Sequence, residues 1–155
     1  MRVITYDKVD SKDWILSTAY AEREMAFKTL NNKLLWNLGE WGNLLFLEVR
    51  SDSDEIMGRA FILKPELVED ENIDNFIIGG LHVYPWFLNK GVATLLIQYC
   101  INLANEFKID FGISTNNENL VKLIKAKFEG FVNVSTTISR ITDKEETLYK
   151  LKYKE

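Results

Sequence analysis

Cysteine and histidine are almost absent from this sequence, since each occurs once in 155 residues. A lone Cys100 excludes an intramolecular disulfide framework, which fits a reducing compartment. With only His82 beside it, a zinc site of the usual kind cannot be built, and we expect no metal. The N-terminus has no apolar signal core, and no segment approaches the length that spans a bilayer. These absences predict a soluble cytoplasmic protein with no membrane partner.

Positive charge is also scarce. Lys and Arg number 19 against 23 Asp and Glu, which gives a net charge of -4 and a pI near 5.2. A dedicated nucleic-acid binder usually has a basic face, so this balance argues against nucleic acid as a partner. The hydrophobic content of 46% and charged content of 27% are ordinary for a globular protein. The length predicts one domain, residues 1–155.

Hydrophobic periodicity predicts the secondary structure. Helical patterns occur near 12–28 and 33–38, over 92–107, and after a capping box formed by Thr115 and Glu118, with Gly130 ending that last helix. Strand patterns occur at 2–6, 44–49, 55–63, 76–83, 109–115, 131–138 and 147–153. The runs 44–49 and 55–63 flank a polar turn and predict an antiparallel hairpin. Gly79-Gly80 inside the apolar, central strand 76–83 indicates a bulge or a close approach by another group.

The stretch from His82 to Cys100 passes from a strand through a short turn into a long helix. The first amide N–H groups of a helix have no partner within it, and the helix dipole adds partial positive charge there. Gly91 and Ala93 are small, so a ligand can approach the backbone closely. A phosphate or pyrophosphate is the natural ligand of such a turn. The Walker A and dinucleotide-binding fingerprints are both missing.

At this turn the sequence resembles the GCN5-related N-acetyltransferase (GNAT) superfamily. Members carry a strand ending L-x-V-x-P, a loop Q/R-x-x-G-x-G/A and a long helix, which match Leu81-His82-Val83-Tyr84-Pro85 and Leu88-Asn89-Lys90-Gly91-Val92-Ala93 here. A second family element, an Asn followed by a helix and Gly-Phe, aligns with Asn119 and Gly130-Phe131. Leu88 departs from the family's Gln or Arg, which removes a side-chain donor and leaves Lys90 to supply a charge.

The resemblance implies an α/β (α+β) fold in which about four helices flank a mixed, mostly antiparallel central sheet of about six or seven strands. It also implies that acetyl-coenzyme A or coenzyme A is the co-substrate. The pyrophosphate would bind the loop, and the pantetheine arm would pair with the backbone of Leu81 and Val83. The implied coenzyme contacts are Leu81, Val83, Leu88, Asn89, Lys90, Gly91, Val92, Ala93 and Asn119.

The positions where the family often carries its acid and base hold no titratable group. The tyrosine position before Gly130 is Ala126, and counting back by twos from Val83 reaches Leu81, Gly79 and Ile77. Alternation places His82 on the opposite face of the strand, packed under helices, so we interpret it as structural. The remaining candidates for catalysis are Tyr84, Ser114 and Tyr149, and no spacing selects one of them.

In this family the acceptor lies between the first helices and the central strands. Glu24, Trp36 and Trp41 fall there, and carboxylates beside aromatic rings can hold an ammonium group. The alternative is that Glu24 belongs to a solvated helix face. The acceptor is a small-molecule or protein amine, and both a monomer and a homodimer stay open.

Two classes of function remain. One is an N-acetyltransferase that transfers acetyl from acetyl-coenzyme A to a primary amine and relies on positioning and water for proton transfer. The other is a non-catalytic GNAT-like domain that binds a coenzyme A species or a protein partner. The intact loop favours the enzyme, and the missing acid and base favour the binding domain.

Overall fold

The computed structural model describes residues 1–6, 44–63, 75–138 and 145–155. Its strands are β1 (Arg2–Tyr6), β2 (Leu44–Arg50), β3 (Ile56–Leu63), β4 (Asn75–Val83), β5 (Asp110–Thr115), β6 (Val132–Ile138) and β7 (Glu145–Leu151). Its helices are α1 (Val92–Phe107) and α2 (Glu118–Lys127), and a 3₁₀ turn covers Pro85–Phe87. The helices predicted near 12–28 and 33–38 lie outside the described residues.

The described strands form one seven-stranded sheet in the order β1-β2-β3-β4-β5-β7-β6. Strands β4 and β5 pair in parallel, because the long helix α1 carries the chain back across the sheet between them. The other neighbouring pairs are antiparallel, including the predicted hairpin of β2 and β3. The predicted mixed, mostly antiparallel sheet with β4 at its centre is therefore confirmed.

Helix α1 packs its apolar stripe on one face of the sheet. Six of its side chains are buried: Val92, Leu96, Ile97, Cys100, Ile101 and Ala104. They share a core with Leu47, Ala60 and Ile78 of the neighbouring strands. The helix has the predicted bounds, and Cys100 is a core residue as predicted. Burying each of the larger side chains contributes about 1.5–3 kcal/mol, which anchors the start of this helix against the sheet.

A bulge in β4 corrects the predicted faces of this strand. Phe61 pairs with Gly79 and Arg59 pairs with His82, so two residues of β4, Gly80 and Leu81, lie opposite Ala60 alone. The bulge thus begins one residue later than predicted. After it, His82 shares a face with Gly79, and Val83 shares the α1 face with Ile78. Counting back by twos from Val83 was therefore wrong, because the extra residue reverses the alternation.

Both predicted reasons for the glycine pair are present. A Cβ atom on Gly79 would lie 2.5 Å from the ring of Phe61, so this ring needs a glycine beneath it. The next residue, Gly80, enters the bulge. His82 and its partner Arg59 lie on the face away from α1. The helices predicted near 12–28 and 33–38 lie outside the described residues, so the packing of His82 under helices stays a prediction.

Helix α2 begins at a different cap from the one predicted. The side chain of Asn117 accepts hydrogen bonds from the amides of Asn119 and Leu120, so Asn117 is the N-cap. The Thr115 hydroxyl instead accepts from the amide of Asn117 at 3.0 Å. The helix ends at Lys127, ahead of the predicted Gly130. Gly130 has a φ of 96° and turns the chain toward β6.

Candidate functional site

The parallel strands β4 and β5 separate at their carboxyl ends. Their pairing runs from Asn75 and Asp110 to Ile78 and Ile113 and then stops. Beyond this point β4 continues to Val83 and β5 continues to Thr115. Strand β4 stays paired there with β3, and β5 with β7. The result is a gap between two central strands, at the end of a sheet where α/β proteins usually bind ligands.

The loop between β4 and α1 ends in a cradle of amide groups. Asn89 has a φ of 60° and Gly91 a φ of 83°, so two left-handed residues flank Lys90. Such a turn directs successive N–H groups to one side and forms a concave anion site. Gly91 is the N-cap of α1 and has no side chain to cap the first amides of the helix. These amides are the groups that an anion can bind.

The described residues leave space above this cradle. Among them, a Cβ atom on Gly91 would meet only the methyl group of Met1, at 4.0 Å. Leu88, Asn89 and Lys90 are exposed, whereas Val92, the first residue of α1, is buried. A ligand can therefore contact the backbone of the loop, with the exposed Lys90 beside it. The sequence signal for Gly91 was clear, but the left-handed conformation of Asn89 was not predicted.

The remaining implied coenzyme contacts lie on the two sides of the gap. Leu81 and Val83 belong to the part of β4 that has separated from β5. Asn119 lies in the first turn of α2, directly after the end of β5, and is exposed. The amino terminus of α2 thus follows one strand of the gap, and the amino terminus of α1 follows the other. The structure groups the predicted contacts around one opening.

A buried polar row crosses the sheet face that lies opposite α1. Glu48 pairs with Arg59, and Arg59 pairs with His82, on three neighbouring strands. The Glu48 carboxylate is 1% exposed and accepts from the Nε atoms of Arg50 at 2.6 Å and Arg59 at 2.9 Å. The hydrogen bond to Glu48 raises the pKa of Arg50, which keeps the guanidinium charged. Tyr6 also donates to Glu48, at 3.1 Å.

Sequence reasoning missed this row, although its signal was present. Glu48 and Arg59 are charged residues inside two otherwise apolar strands, at facing positions of the predicted hairpin. A charge in such a strand is buried at high cost unless it is paired. The row ends at His82, whose ring meets the ring of Tyr84 edge-on at 5.1 Å between centroids. One predicted catalytic candidate therefore contacts the single histidine of the chain.

The three catalytic candidates are not brought together. The Ser114 hydroxyl donates to Glu146 at 3.0 Å, on the face away from α1. Tyr149 pairs with Ile113, a core residue under α1, and therefore lies on the opposite face. It lines a groove of about 500 Å³ together with Thr115, Asn116, Glu118, Val121, Lys122, Lys125 and Thr147. Tyr84 lies at the end of β4. The acceptor candidates Glu24, Trp36 and Trp41 lie outside the described residues.

Within the described ranges, no helix combines the length and apolar character needed to cross a membrane. The same residues contain no group of three or more His, Cys, Asp or Glu side chains arranged to hold a metal ion.

Comparison with known proteins rests on structure alone, because no family model and no curated protein sequence matches the chain. A GNAT-family acetyltransferase from Staphylococcus aureus aligns with a TM-score of 0.66 at 13% identity, covering 99% of both chains. A Corynebacterium glutamicum protein, described as histone acetyltransferase HPA2 and related acetyltransferase, aligns at 0.68 and 13% identity, over 100% of this chain and 98% of that one. This chain has the GNAT fold.

A third similar solved structure is NAA60 from Arabidopsis thaliana in complex with a bisubstrate analogue. It aligns with a TM-score of 0.65 at 11% identity, over 98% of each chain. At these identities the likeness establishes the fold. The fold that the resemblance at the β4 turn implied is thus confirmed, and it extends over nearly the whole length of the chain.

Proposed function

We propose that this protein is an N-acetyltransferase that transfers the acetyl group of acetyl-coenzyme A to a primary amine of a small molecule or a protein. One observation supports this function above all. The gap between β4 and β5 leads to the amide cradle at the start of α1. An extended arm can therefore bind in the gap, and an anion attached to it can bind at the cradle. Pantetheine pyrophosphate combines these two features in one molecule.

The loop residues have separate tasks in coenzyme binding. The amides from Asn89 to Ala93 hold the pyrophosphate, and the Lys90 ammonium adds charge to this site. Leu88 has no polar side-chain atom. The backbone amides therefore provide more of the binding than they would beside the Gln or Arg that the family usually has here. The separated backbone of Leu81 and Val83 pairs with the pantetheine amides, and Asn119 lies across the gap from them.

Acetyl transfer in this site depends on positioning. The amine nitrogen attacks the thioester carbonyl carbon, the carbon–sulfur bond breaks, and the amine proton passes to water. Thiols are acidic compared with water, with a pKa near ~8.5 for free cysteine, so the sulfur can leave as a thiolate and take its proton from water. Holding the amine against the thioester supplies about 7–11 kcal/mol of barrier reduction without a catalytic acid or base. Ala126 in the family's tyrosine position fits this mechanism.

A second candidate function is a non-catalytic GNAT domain that binds a coenzyme A species or a protein partner. The arrangement of the candidate side chains favours it, because Ser114 is bonded to Glu146 and Tyr149 lies on the other face of the sheet. The enzyme and the coenzyme-binding form of this domain both require the amide cradle. They differ in whether bound acetyl-coenzyme A reacts with an amine.

Calorimetric titration of Gly91→Asp and Gly91→Asn with acetyl-coenzyme A and coenzyme A tests the binding site. The two variants have the same size, and both residues tolerate the left-handed φ of 83° better than most, so they differ mainly in charge. A carboxylate beside the pyrophosphate costs about 1 kcal/mol or more per neighbouring charge. We therefore expect coenzyme affinity to fall ~10-fold or more in the Asp variant, relative to the Asn variant.

Equal affinity of the two variants, both folded, would show that the pyrophosphate binds elsewhere. Failure of the wild type to bind either coenzyme would exclude the enzyme and the coenzyme-binding form of the second candidate, and would leave a domain that binds a protein partner. The release of free thiol during incubation with a panel of amines and peptides then separates the enzyme from the binding domain. Tight coenzyme binding without thiol release from any amine would support the non-catalytic function.

A further inference from the structure

On the sheet face away from α1, the gap between β4 and β5 is bordered by a polar side chain from each strand. The pairing of the two strands ends at Ile78 and Ile113, so Ser114 is the first residue of β5 beyond the paired part. Because Ile113 belongs to the core under α1, alternation along β5 places Ser114 on the opposite face. His82 lies on this face of β4. Both polar side chains are half-buried, so this side of the gap is a partly open, polar site.

The other side of the gap is closed by packing. Ile78 and Ile113 are buried in the core that α1 shares with the sheet. Thr115, the next residue on that face of β5, is buried as well, and its hydroxyl accepts from the amide of Asn117. Among the described residues, the face of Ser114 is thus the one from which an amine can reach a thioester held in the gap.

A carboxylate fixes the orientation of the Ser114 hydroxyl. The hydroxyl donates to Oε2 of Glu146 on β7 at 3.0 Å. In the sheet order, β7 and β4 lie on opposite sides of β5. The O–H bond therefore points away from the gap, and the oxygen keeps acceptor lone pairs for a group that binds there. In this arrangement Ser114 can accept a hydrogen bond from a ligand in the gap, but its own proton is already used.

We propose that Ser114 binds the acceptor amine: its Oγ accepts a hydrogen bond from an N–H group of the amine, while Glu146 holds the hydroxyl in this orientation. This role rests on the proposed acetyltransferase function. With one N–H bound to Ser114, the nitrogen lone pair can be directed at the thioester carbonyl carbon. The serine keeps its own proton, and the proton that the amine loses still passes to water. Glu146 is a positioning residue, because it acts through the hydroxyl.

Binding of this kind predicts a preference for primary over secondary amines. The nitrogen of a primary amine carries two hydrogens, so one can stay bound to Ser114 while the other is lost to water. A secondary amine has a single hydrogen, which cannot serve both purposes. Removing the hydroxyl should therefore slow the reaction of primary amines and leave the reaction of secondary amines nearly unchanged. A purely structural role of Ser114 would slow both alike.

Thiol release from acetyl-coenzyme A tests the proposal, with butylamine and a lysine-containing tripeptide as primary amines and their N-methyl counterparts as secondary amines. Ser114→Ala should lower kcat/KM for the primary amines by ~10-fold, the loss expected for one hydrogen bond, and by less than ~2-fold for the N-methyl forms. Glu146→Gln should cause a smaller loss for the primary amines. In the Ser114→Ala background it should cause no further loss, because the hydroxyl through which it acts is gone.

Ser135→Ala is the matched control. Ser135 pairs with Leu148, and Leu148 pairs with Ser114, so the two serines lie on the same face with β7 between them. Ser135 is exposed on β6, away from the gap. Its replacement should leave kcat/KM unchanged for every amine.

Calorimetric titration of the same variants with acetyl-coenzyme A separates this proposal from the function on which it rests. Ser114→Ala should bind the coenzyme within ~2-fold of the wild type, because the pantetheine pairs with β4. A fall in coenzyme affinity that matches the fall in activity would assign the hydroxyl to the pantetheine and overturn amine binding. Equal activity of wild type and Ser114→Ala would overturn it too, as would equal losses for primary and N-methyl amines, or additive losses from Ser114 and Glu146. A wild type that binds acetyl-coenzyme A but acetylates no amine would overturn the acetyltransferase function and, with it, the role of Ser114.

Discussion

Gly58 on β3 is the residue whose replacement should most directly disturb the base of α1. A Cβ atom at this position would lie 2.8 Å from the carbonyl oxygen of His82 and 2.8 Å from Cγ1 of Val92. Both neighbours are held in place. The oxygen belongs to the backbone of β4, and Val92 is 1% exposed at the first turn of α1. Gly58→Ala must therefore move a strand, a helix or both.

The change in the free energy of unfolding caused by Gly58→Ala follows from two opposing effects. Alanine in a strand is favoured over glycine by about 0.5–1 kcal/mol, because the unfolded chain loses less entropy. Inserting a methyl group into a filled core costs about 1–3 kcal/mol, and this site has two contacts well below the ~3.5 Å at which atoms pack favourably. We expect a net loss of about 2 kcal/mol in the free energy of unfolding. In a chain of this size that lowers Tm by about 4–8 °C.

Urea denaturation of Gly58→Ala, Val92→Ala and the double variant identifies which contact causes the loss of stability. Val92→Ala alone should cost about 2 kcal/mol, since it removes two buried methyl groups and leaves a cavity. In the Gly58→Ala background it should cost about 1 kcal/mol less, because it also removes one of the two close contacts. The contact with the His82 oxygen remains, so the rescue should be partial. Strictly additive losses, or a Gly58→Ala variant as stable as wild type, would refute this reasoning.

Three further changes have expected outcomes that denaturation measurements can check. Glu48→Gln should lower the free energy of unfolding by about 3 kcal/mol, because it leaves the mostly buried Arg59 guanidinium without its carboxylate. Burial raises the pKa of the Cys100 thiol, so the unfolded chain loses this proton first. The contribution of this thiol to the free energy of unfolding is fully present below pH ~8.5. Above that pH it should decline by up to about 1.4 kcal/mol per pH unit. Lys108→Gly should raise the free energy of unfolding by about 0.5 kcal/mol, because Lys108 caps α1 in the left-handed region at a φ of 55°.

Each of these predictions has a matched control. Asp52→Asn changes a fully exposed carboxylate and should alter stability by less than about 0.5 kcal/mol. Cys100→Ala should remove the extra decline above pH ~8.5, and equal slopes for wild type and variant would contradict the buried thiol as its source. Lys108→Ala keeps the strained backbone and should give no gain. A gain equal to that of Lys108→Gly would mean that loss of the charge is responsible.

The sequence by itself determined the elements whose signal is local. Helix α1 was predicted at its observed bounds, because an apolar stripe repeats at helical spacing from residue 92 to 107. Gly91 was recognised as a small residue of the turn between β4 and that helix, whereas its role as the N-cap at a positive φ comes from the structure. The strands were predicted within a few residues, because alternation and turn residues act between near neighbours in the chain.

The tertiary structure alone decided which residues meet. The bulge opposite Ala60 reverses the faces of β4 and places His82 beside Arg59 and Glu48. Ser114 donates to Glu146, which lies 32 residues away in the sequence. Asn117 replaces Thr115 as the cap of α2, a choice between two polar side chains that are two residues apart. Periodicity assigns a side chain to one of two faces, but a single extra residue in a strand reverses that assignment. Register and strand order depend on packing between distant segments, and that information is absent from any local pattern.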